Sequence, residues 1–332
     1  AIRSKNASKN TLAHKVTATN RSIDNSGKML KHKQITARAG AGSLAIARGR
    51  TGAGSGVSIG ATVVENTIQA SDDGDTSEDL LVAEIQADQI ELKGTLTVES
   101  DSEQKIEATS ATASMAIALQ KPDAQGISGA AAGGGASITN TLSGVTRAVI
   151  KTQSSPGASD TSIKVGGDLS VTTTNNESIN AGVGAGSLAF SWVGADAGAA
   201  AIAPSIGVSL ASNTIEGDSL ASINGFKSLS TTNQGKLNQS ASNTRSIDAT
   251  SVAVAISTAL RGNLQLGLSG GGANAFNSIN GDTSATINVD SVSLTGSLDL
   301  STNADGDIDA TIQAISGSLS GASDGGGAAV SI

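Results

Sequence analysis

The residues of this chain whose types and spacing could do covalent chemistry are few. Gly56-Val57-Ser58-Ile59-Gly60 matches G-x-S-x-G, the strand-to-helix turn that presents a nucleophilic serine in many hydrolases. A serine nucleophile needs a neighbouring base, but the two histidines, His14 and His32, lie in a basic N-terminal segment. No helical pattern follows the motif, and glycine and serine are common throughout. We therefore predict that the protein has no catalytic residue and is not an enzyme.

Two glycine-rich runs resemble a nucleotide-binding turn. Gly40–Ala45 and Gly184–Ala189 both fit G-x-G-x-x-A, which binds pyrophosphate where a strand runs into a helix. Both runs recur at the same point of an internal repeat, and neither is followed by a helical pattern. We interpret them as sites of close sheet packing and predict no bound cofactor.

Two acidic clusters offer the carboxylate oxygens that Ca²⁺ prefers. One is Asp72–Asp75 with Glu78 and Asp79, and the other is Asp305, Asp307 and Asp309. Their spacing matches neither the EF-hand loop nor the calcium-binding nonapeptide repeat. Solvated turns are the favoured interpretation, so no metal site is predicted, and calcium binding stays as the alternative.

The composition limits the kind of interior that this chain can form. Its 332 residues include three Phe, one Trp, no Tyr and no Cys, whereas 41 are Gly. A rounded core normally uses large aromatic side chains, so small side chains predict a thin, layered interior. The absence of Cys excludes disulfides and thiol metal sites, but not an extracellular location. No apolar run reaches the eighteen or so residues of a membrane span.

Charge is unevenly distributed along the chain. Residues 1–35 carry a net charge of +7, and the remaining residues carry −15. Such a basic end could bind nucleic acid, an anionic surface or the acidic body of another copy, or it could be a solvated face. Residues 1–34 contain no Phe, Trp or Tyr on which single-stranded bases would stack, so no nucleic-acid partner is predicted.

The strongest signal in the sequence is an internal repeat. Copies begin near residues 35, 106, 179, 247 and 308, each with Ile-x-Ala, at spacings of 71, 73, 68 and 61 residues. A second landmark keeps the same phase at Asn66, Asn140, Asn213 and Asn277, each followed by Thr or Ser and then Ile or Leu. We assign residues 35–332 to this repeat array and residues 1–34 to a separate basic segment.

Within each copy the apolar residues alternate, as Val252, Val254 and Ile256 show. Period-two alternation is typical of strands, and frequent Gly disfavours a helix. The sequence thus predicts an all-β fold: an elongated parallel β-solenoid (β-helix) of about five repeats, each roughly 60–73 residues long. We expect several strands in each copy, making about three coils.

The repeats resemble the Gly/Ala/Ser-rich regions of large secreted bacterial surface proteins, the filamentous haemagglutinin-like and autotransporter adhesins. The matching text is Gly-x-Leu-x-Val at Gly94–Val98 and Gly167–Val171, together with the two Gly-Ala-Gly-Ser-Leu-Ala runs. This resemblance implies a β-solenoid shaft, without catalysis, that is extracellular or on the cell surface. The basic segment departs from the pattern.

The two chain ends look like parts of one further copy. Aligning the C-terminal text with that around Gly270 places Ile2 opposite Ile279, and residues 308–332 and 1–34 together number 59. We therefore expect a structural protein whose copies assemble head-to-tail into a filament by strand complementation. The alternative is an adhesin shaft or binding module within one very long covalent repeat protein. A binding module should contain one repeat with an unusual insertion that carries aromatic residues. Phe190 and Trp192 come nearest to this, but they lie within a strand-like run, so we expect them to pack in the core.

Overall fold

The structure, a computed structural model, is an all-β chain whose strands are mostly long and parallel. It describes residues 2–3, 13–19, 22–23, 29–30, 33–50, 52–69, 79–122, 126–194, 199–321 and 326–332, and no helix occurs in these ranges. The strands are β1 (Ile2–Arg3), β2 (Ala13–Thr19), β3 (Ser22–Ile23), β4 (Met29–Leu30), β5 (Lys33–Gly49), β6 (Ser55–Ile68), β7 (Asp79–Gln86), β8 (Gln89–Leu92), β9 (Thr95–Gln120), β10 (Ile127–Lys151), β11 (Ser162–Val165), β12 (Leu169–Trp192), β13 (Ala200–Thr231), β14 (Leu237–Leu260), β15 (Leu264–Asn280), β16 (Thr283–Ser293), β17 (Leu298–Gly321) and β18 (Gly326–Ser331).

Two parallel sheets pack against each other through their inner faces. Sheet A contains β1, β6, β7, β8, β10, β11, β13, β15, β16 and β18, and sheet B contains β2, β5, β9, β12, β14 and β17. The chain alternates between the sheets, so that β9 leads into β10 and β12 leads into β13. The prediction of an all-β fold with parallel strands is confirmed.

Adjacent repeats lie side by side with equivalent residues paired. One column in sheet B consists of Ile35, Ile106, Ile179, Ile247 and Ile308. One column in sheet A consists of Asn66, Asn140, Asn213 and Asn277. The landmarks that recur in the sequence are therefore neighbours on adjacent strands.

Each repeat makes one pass through each sheet, so the expectation of about three coils per repeat is wrong. Strand β9 runs for 26 residues and β13 for 32, much longer than ordinary strands. The physical reason is that small and β-branched residues alternate along the strand, and no turn-forming dipeptide interrupts its hydrogen bonding. The chain changes sheet where a long strand ends or begins, as between β9 and β10 and between β11 and β12.

The two sheets approach each other closely along a column of four glycines, Gly60, Gly134, Gly207 and Gly271. A Cβ atom at Gly134 would lie 2.5 Å from the backbone oxygen of Gly186 in sheet B. A Cβ at Gly207 would lie 2.7 Å from the backbone oxygen of Val254. Since no real Cβ sits so close to a backbone atom, glycine is required wherever the sheets are this near.

The interior changes in character along the strands. At one end, Ile, Leu and Val pack around Phe226, and at the other end the buried cluster is almost entirely Ala. Hydroxyl groups bridge the sheets beside the alanines, with 2.7 Å between the Oγ atoms of Ser187 and Ser205 and 2.6 Å between those of Ser209 and Ser251. Small inward residues therefore fill the interior at the alanine-rich end, as the composition predicts, whereas larger side chains fill the other end.

The chain ends pair differently from the sequence alignment. Ile2 lies opposite Ile90, and strand pairing relates that position to Ile163, Leu229 and Val292. Strand β18 pairs with Leu264–Ser269. The alignment of Ile2 with Ile279 is therefore wrong.

Residues 308–332 and 1–34 together are nearly as long as one repeat because residues 1–34 contain an insertion. Thr19 lies opposite Asp101 and Lys33 opposite Gln104, so residues 20–32 are inserted where the next repeat has only residues 102–103. Strands β3 and β4 form a small antiparallel ribbon within this insertion.

Replacing Gly134 tests the importance of close sheet contact. We expect Gly134→Ala to lower the free energy of unfolding by about 1–3 kcal/mol, because its Cβ must push the backbone of Gly186 away. Urea denaturation measures the change. The matched control is Gly135→Ala, whose Cβ would meet no atom within 4 Å and should be neutral or slightly stabilising. Equal losses in both variants would contradict the assignment of close contact to Gly134.

Candidate functional site

The outer face of sheet B carries large apolar side chains at the alanine-rich end. Alternation along β12 buries Ser187 and Ser191 and turns Leu188, Phe190 and Trp192 outward. The expectation that Phe190 and Trp192 pack in the core is therefore wrong. The space between the sheets at this level is too narrow for aromatic rings, so the period of two places them on the surface.

A shallow apolar groove of about 520 Å³ runs across this face from strand to strand. Its floor is formed by Gly42, Ala113 and Gly186, and larger side chains such as Leu44 and Leu188 border it. The groove exists because its floor lacks side chains beyond a methyl group. It is lined by the strands β5, β9, β12 and β14.

The glycine-rich runs do not hold the sheets together as the sequence pattern predicts. A Cβ at Gly42 or Gly184 would meet no atom within 4 Å, since both glycines face outward. The tight contacts between sheets come instead from the glycine column that contains Gly134 and Gly207. The interpretation of Gly40–Ala45 and Gly184–Ala189 as close-packing sites is thus wrong for these outward positions.

A second depression lies at the rim of the same face, where the long strands end. Its volume is about 270 Å³, and Trp192, Leu119, Arg48 and Lys121 are among its lining residues. The guanidinium carbon of Arg261 lies 5.9 Å from the centre of the Trp192 ring, which is a cation–π distance. An aromatic ring beside cations is a feature that sequence reasoning missed because it assigned Trp192 to the core.

A buried ion pair lies between the sheets, away from this surface. Arg245 Nε is 3.5 Å from Glu177 Oε2, and both side chains are almost fully buried. The guanidinium also donates hydrogen bonds to the backbone oxygens of Gly217 and Gly281. Burial raises the pKa of Glu177 to about 7, although Asn175 and Arg245 act to lower it.

Sequence reasoning missed this pair, although the alternation of inward positions contains a signal for it. Glu177 stands two residues before the inward-facing Ile179, and Arg245 stands two residues before Ile247. Alternation therefore assigns both charged side chains to the interior. Their pairing across adjacent strands follows from the repeat register.

The G-x-S-x-G serine does not occupy a nucleophile position. Ser58 lies within β6 and is buried, and its Oγ is 2.8 Å from Ser43 Oγ. A hydrolase turn instead exposes its serine where a strand meets a helix. His14 lies in β2 opposite Leu96, and His32 is outside the described residues.

The acidic clusters are only partly described. Asp305, Asp307 and Asp309 alternate along β17 and are exposed on its outer side. Residues 72–78 lie outside the described ranges, and Asp79 begins β7. Among the described residues, no group of three or more His, Asp or Glu side chains is arranged to hold a metal ion.

Asp88 links adjacent repeats at a turn. Its Oδ1 accepts hydrogen bonds from Thr152 Oγ1 at 2.7 Å and from the backbone nitrogens of Gln153 at 2.9 Å and Ser154 at 2.8 Å. These donors lower the pKa of Asp88 to about 2, and the Thr152 hydroxyl has the largest effect. Its role is to hold the loop after β10 against the preceding repeat.

Comparison with known proteins adds no assignment. No protein-family model, curated protein or solved structure matches the chain. Within the part of the chain that the structure describes, no helix has the length and hydrophobicity of a membrane span.

The Glu177 carboxyl group should make stability depend on pH. Its folded-state pKa of about 7 exceeds the ordinary value of 4.5, so the folded state keeps the proton longer than the unfolded chain. Stability should therefore fall by up to about 3 kcal/mol as pH rises from 4.5 to 7 and then level off. Urea denaturation across this range measures the fall. Glu177→Gln should remove most of it, and an unchanged pH profile in that variant would contradict the assignment.

Proposed function

We propose that this protein is a structural, extracellular shaft protein: a flattened β-solenoid of the bacterial surface that lengthens by stacking repeats. The observation that carries the proposal is the residue-by-residue pairing of successive repeats in both sheets. Each added repeat extends the structure in one direction and leaves its width unchanged. The resemblance to filamentous haemagglutinin-like and autotransporter adhesins supports the extracellular location.

Buried asparagines support a stack that continues. The Nδ2 atoms of Asn66, Asn140 and Asn213 each donate to the Oδ1 of the next asparagine in the column, at 2.8 Å in every case. All three bonds point the same way along the stack. Asn277 Nδ2 therefore faces the position that a following repeat would occupy.

The C-terminal end of the stack supports addition of further strands. Ile308 is 46% exposed, whereas Ile247 in the same column is 1% exposed. The far edge of β17 pairs with no strand of the described residues, so its backbone groups are available to another strand. Arg38 on β5 and Asp305 to Asp309 on β17 place opposite charges at the two ends, which favours head-to-tail contact.

A second candidate function is an adhesin shaft within one long covalent array. The observation that favours it is the outward ring of Trp192, which lines a depression together with Arg48 and Lys121. A binding module would depend on such a surface.

Head-to-tail assembly predicts filaments that depend on charge at the β17 edge. Negative-stain electron microscopy over a range of protein concentrations should show rods that lengthen at constant width. The triple change Asp305→Asn, Asp307→Asn and Asp309→Asn should shorten them at low salt, since it removes attraction to the basic end.

A matched control is Glu99→Gln, Asp101→Asn and Glu103→Gln, an equal charge change on β9 inside the stack. This control variant should form rods of normal length. Short single particles at every concentration would reject head-to-tail assembly. The adhesin shaft within a covalent array would then be the remaining candidate.

Loss of one asparagine should weaken the stack. Asn140→Ala removes the acceptor of Asn66 and the donor to Asn213, so each buried neighbour loses a hydrogen bond. The expected loss is about 1–3 kcal/mol for each unpaired group, measured by urea denaturation. Thr139→Ala, which changes an exposed neighbour on the same strand, is the control. A cost no larger than that of the control would show that the ladder adds no stability.

A further inference from the structure

On the outer face of sheet B, small residues come first and large apolar residues follow along each strand. The buried face of the same sheet does not show this order. In β12 the outward residues are Gly182, Gly184 and Gly186, followed by Leu188, Phe190 and Trp192. Three residues without side chains are thus followed by three large apolar ones. Strands β5 and β9 repeat the order with Gly40 and Gly42 before Leu44 and Ile46, and with Ala111 and Ala113 before Met115 and Ile117.

We propose that this face, residues 38–48, 109–119, 182–192 and 250–260, binds the same face of a second copy. We name it the outer apolar band. Outward residues that pair across adjacent strands form a row, such as Gly42, Ala113 and Gly186. A two-fold axis along the stacking direction, midway between the rows of Gly42 and Leu44, places each row of large residues of one copy against a row of small residues of the other. Leu188 of one copy then enters the groove over Gly186 of the other, and Phe190 covers Gly184.

Exposure and area support an interface of this kind. Leu44 and Ile46 are 63% and 64% exposed, although both are large and apolar. With ~3.3 Å per residue and ~4.8 Å between strands, the band measures about 33 Å by 19 Å. Two copies would therefore cover roughly 1,250 Å² in total, within the range of specific protein interfaces.

Charge selects the orientation of the pair. Beyond the band the same face carries Asp101 and Glu103 on β9 and Asp305, Asp307 and Asp309 on β17. An axis parallel to the strands would bring these acidic rows face to face. An axis along the stack instead sends them to opposite sides, while both copies keep the same direction of stacking. Arg38 then faces the second copy's Arg48 at the rim, where solvent screens the repulsion.

The small rows have no other evident role in the fold. A Cβ at Gly42, Gly182 or Gly184 would meet no atom within 4 Å, so none of them is needed for packing of the sheets. Glycine in a strand interior costs stability. The self-complementary contact explains why glycine stands at these open positions. In β14 the small row is occupied by Val252 and Val254, so small and large residues differ less in size, and the centre of the contact lies on β5, β9 and β12.

The test exchanges the two rows. Gly184→Phe places a ring against the second copy's Phe190 and should raise the dimer Kd roughly tenfold or more, as measured by sedimentation equilibrium. Phe190→Gly should also weaken the dimer. The double variant with Gly184→Phe and Phe190→Gly restores one large and one small row and should recover most of the affinity. Gly135→Phe, an open position on the outer face of sheet A, is the control and should leave Kd unchanged.

Small-angle scattering separates this lateral contact from end-to-end assembly. Lateral pairing thickens the particle cross-section, whereas head-to-tail growth changes only the length. If the wild-type cross-section has the thickness of a single copy at all concentrations, the proposal is overturned. This holds also if the protein then binds phosphatidylcholine vesicles through this face. Tighter association of Gly184→Phe than of the wild type would also overturn it, because that outcome indicates unspecific apolar adhesion.

Discussion

The short distance between the two sheets is the constraint on which the rest of the structure depends. Where Gly134 and Gly207 lie against backbone atoms of the other sheet, no side chain fits between the layers. The neighbouring inward positions must then be Ala or Ser, because larger groups would separate the sheets. At this level of the strands, large apolar residues lie on the outer face, as Leu188 and Phe190 show. A thin interior thus produces an apolar exterior.

Stability in such a thin structure must come from more than apolar burial. Alanine buries little surface, so the alanine-rich end relies on backbone ladders and on hydroxyl pairs such as Ser209 with Ser251. The opposite end has a conventional aliphatic core around Phe226. Between them, Glu177 and Arg245 place charge in the interior, which makes this level sensitive to pH. The two ends of the strands therefore have different physical chemistry.

The repeat made much of the fold predictable. Asn66, Asn140, Asn213 and Asn277 recur in the sequence at one phase, and parallel strands pair residues of equal phase, so the register follows. The number of passes per repeat did not follow, because Gly/Ala/Ser text carries no marker of strand length. The outward position of Trp192 was missed for a related reason: alternation shows that two faces exist, but sheet spacing decides which one takes the larger residues. The paired acid and base at Glu177 and Arg245 needed both parity and register.

The parallel ladders also determine how the molecule would carry mechanical load. Hydrogen bonds between repeats point along the stacking axis, and each strand of more than twenty residues contributes a long row of them. Tension along that axis loads all bonds of a row together, so rupture requires many bonds to break at once. A force that lifts one strand end opens the same bonds one after another. The width of a repeat thus sets the strength of the stack under axial pull, and the number of repeats sets only its reach.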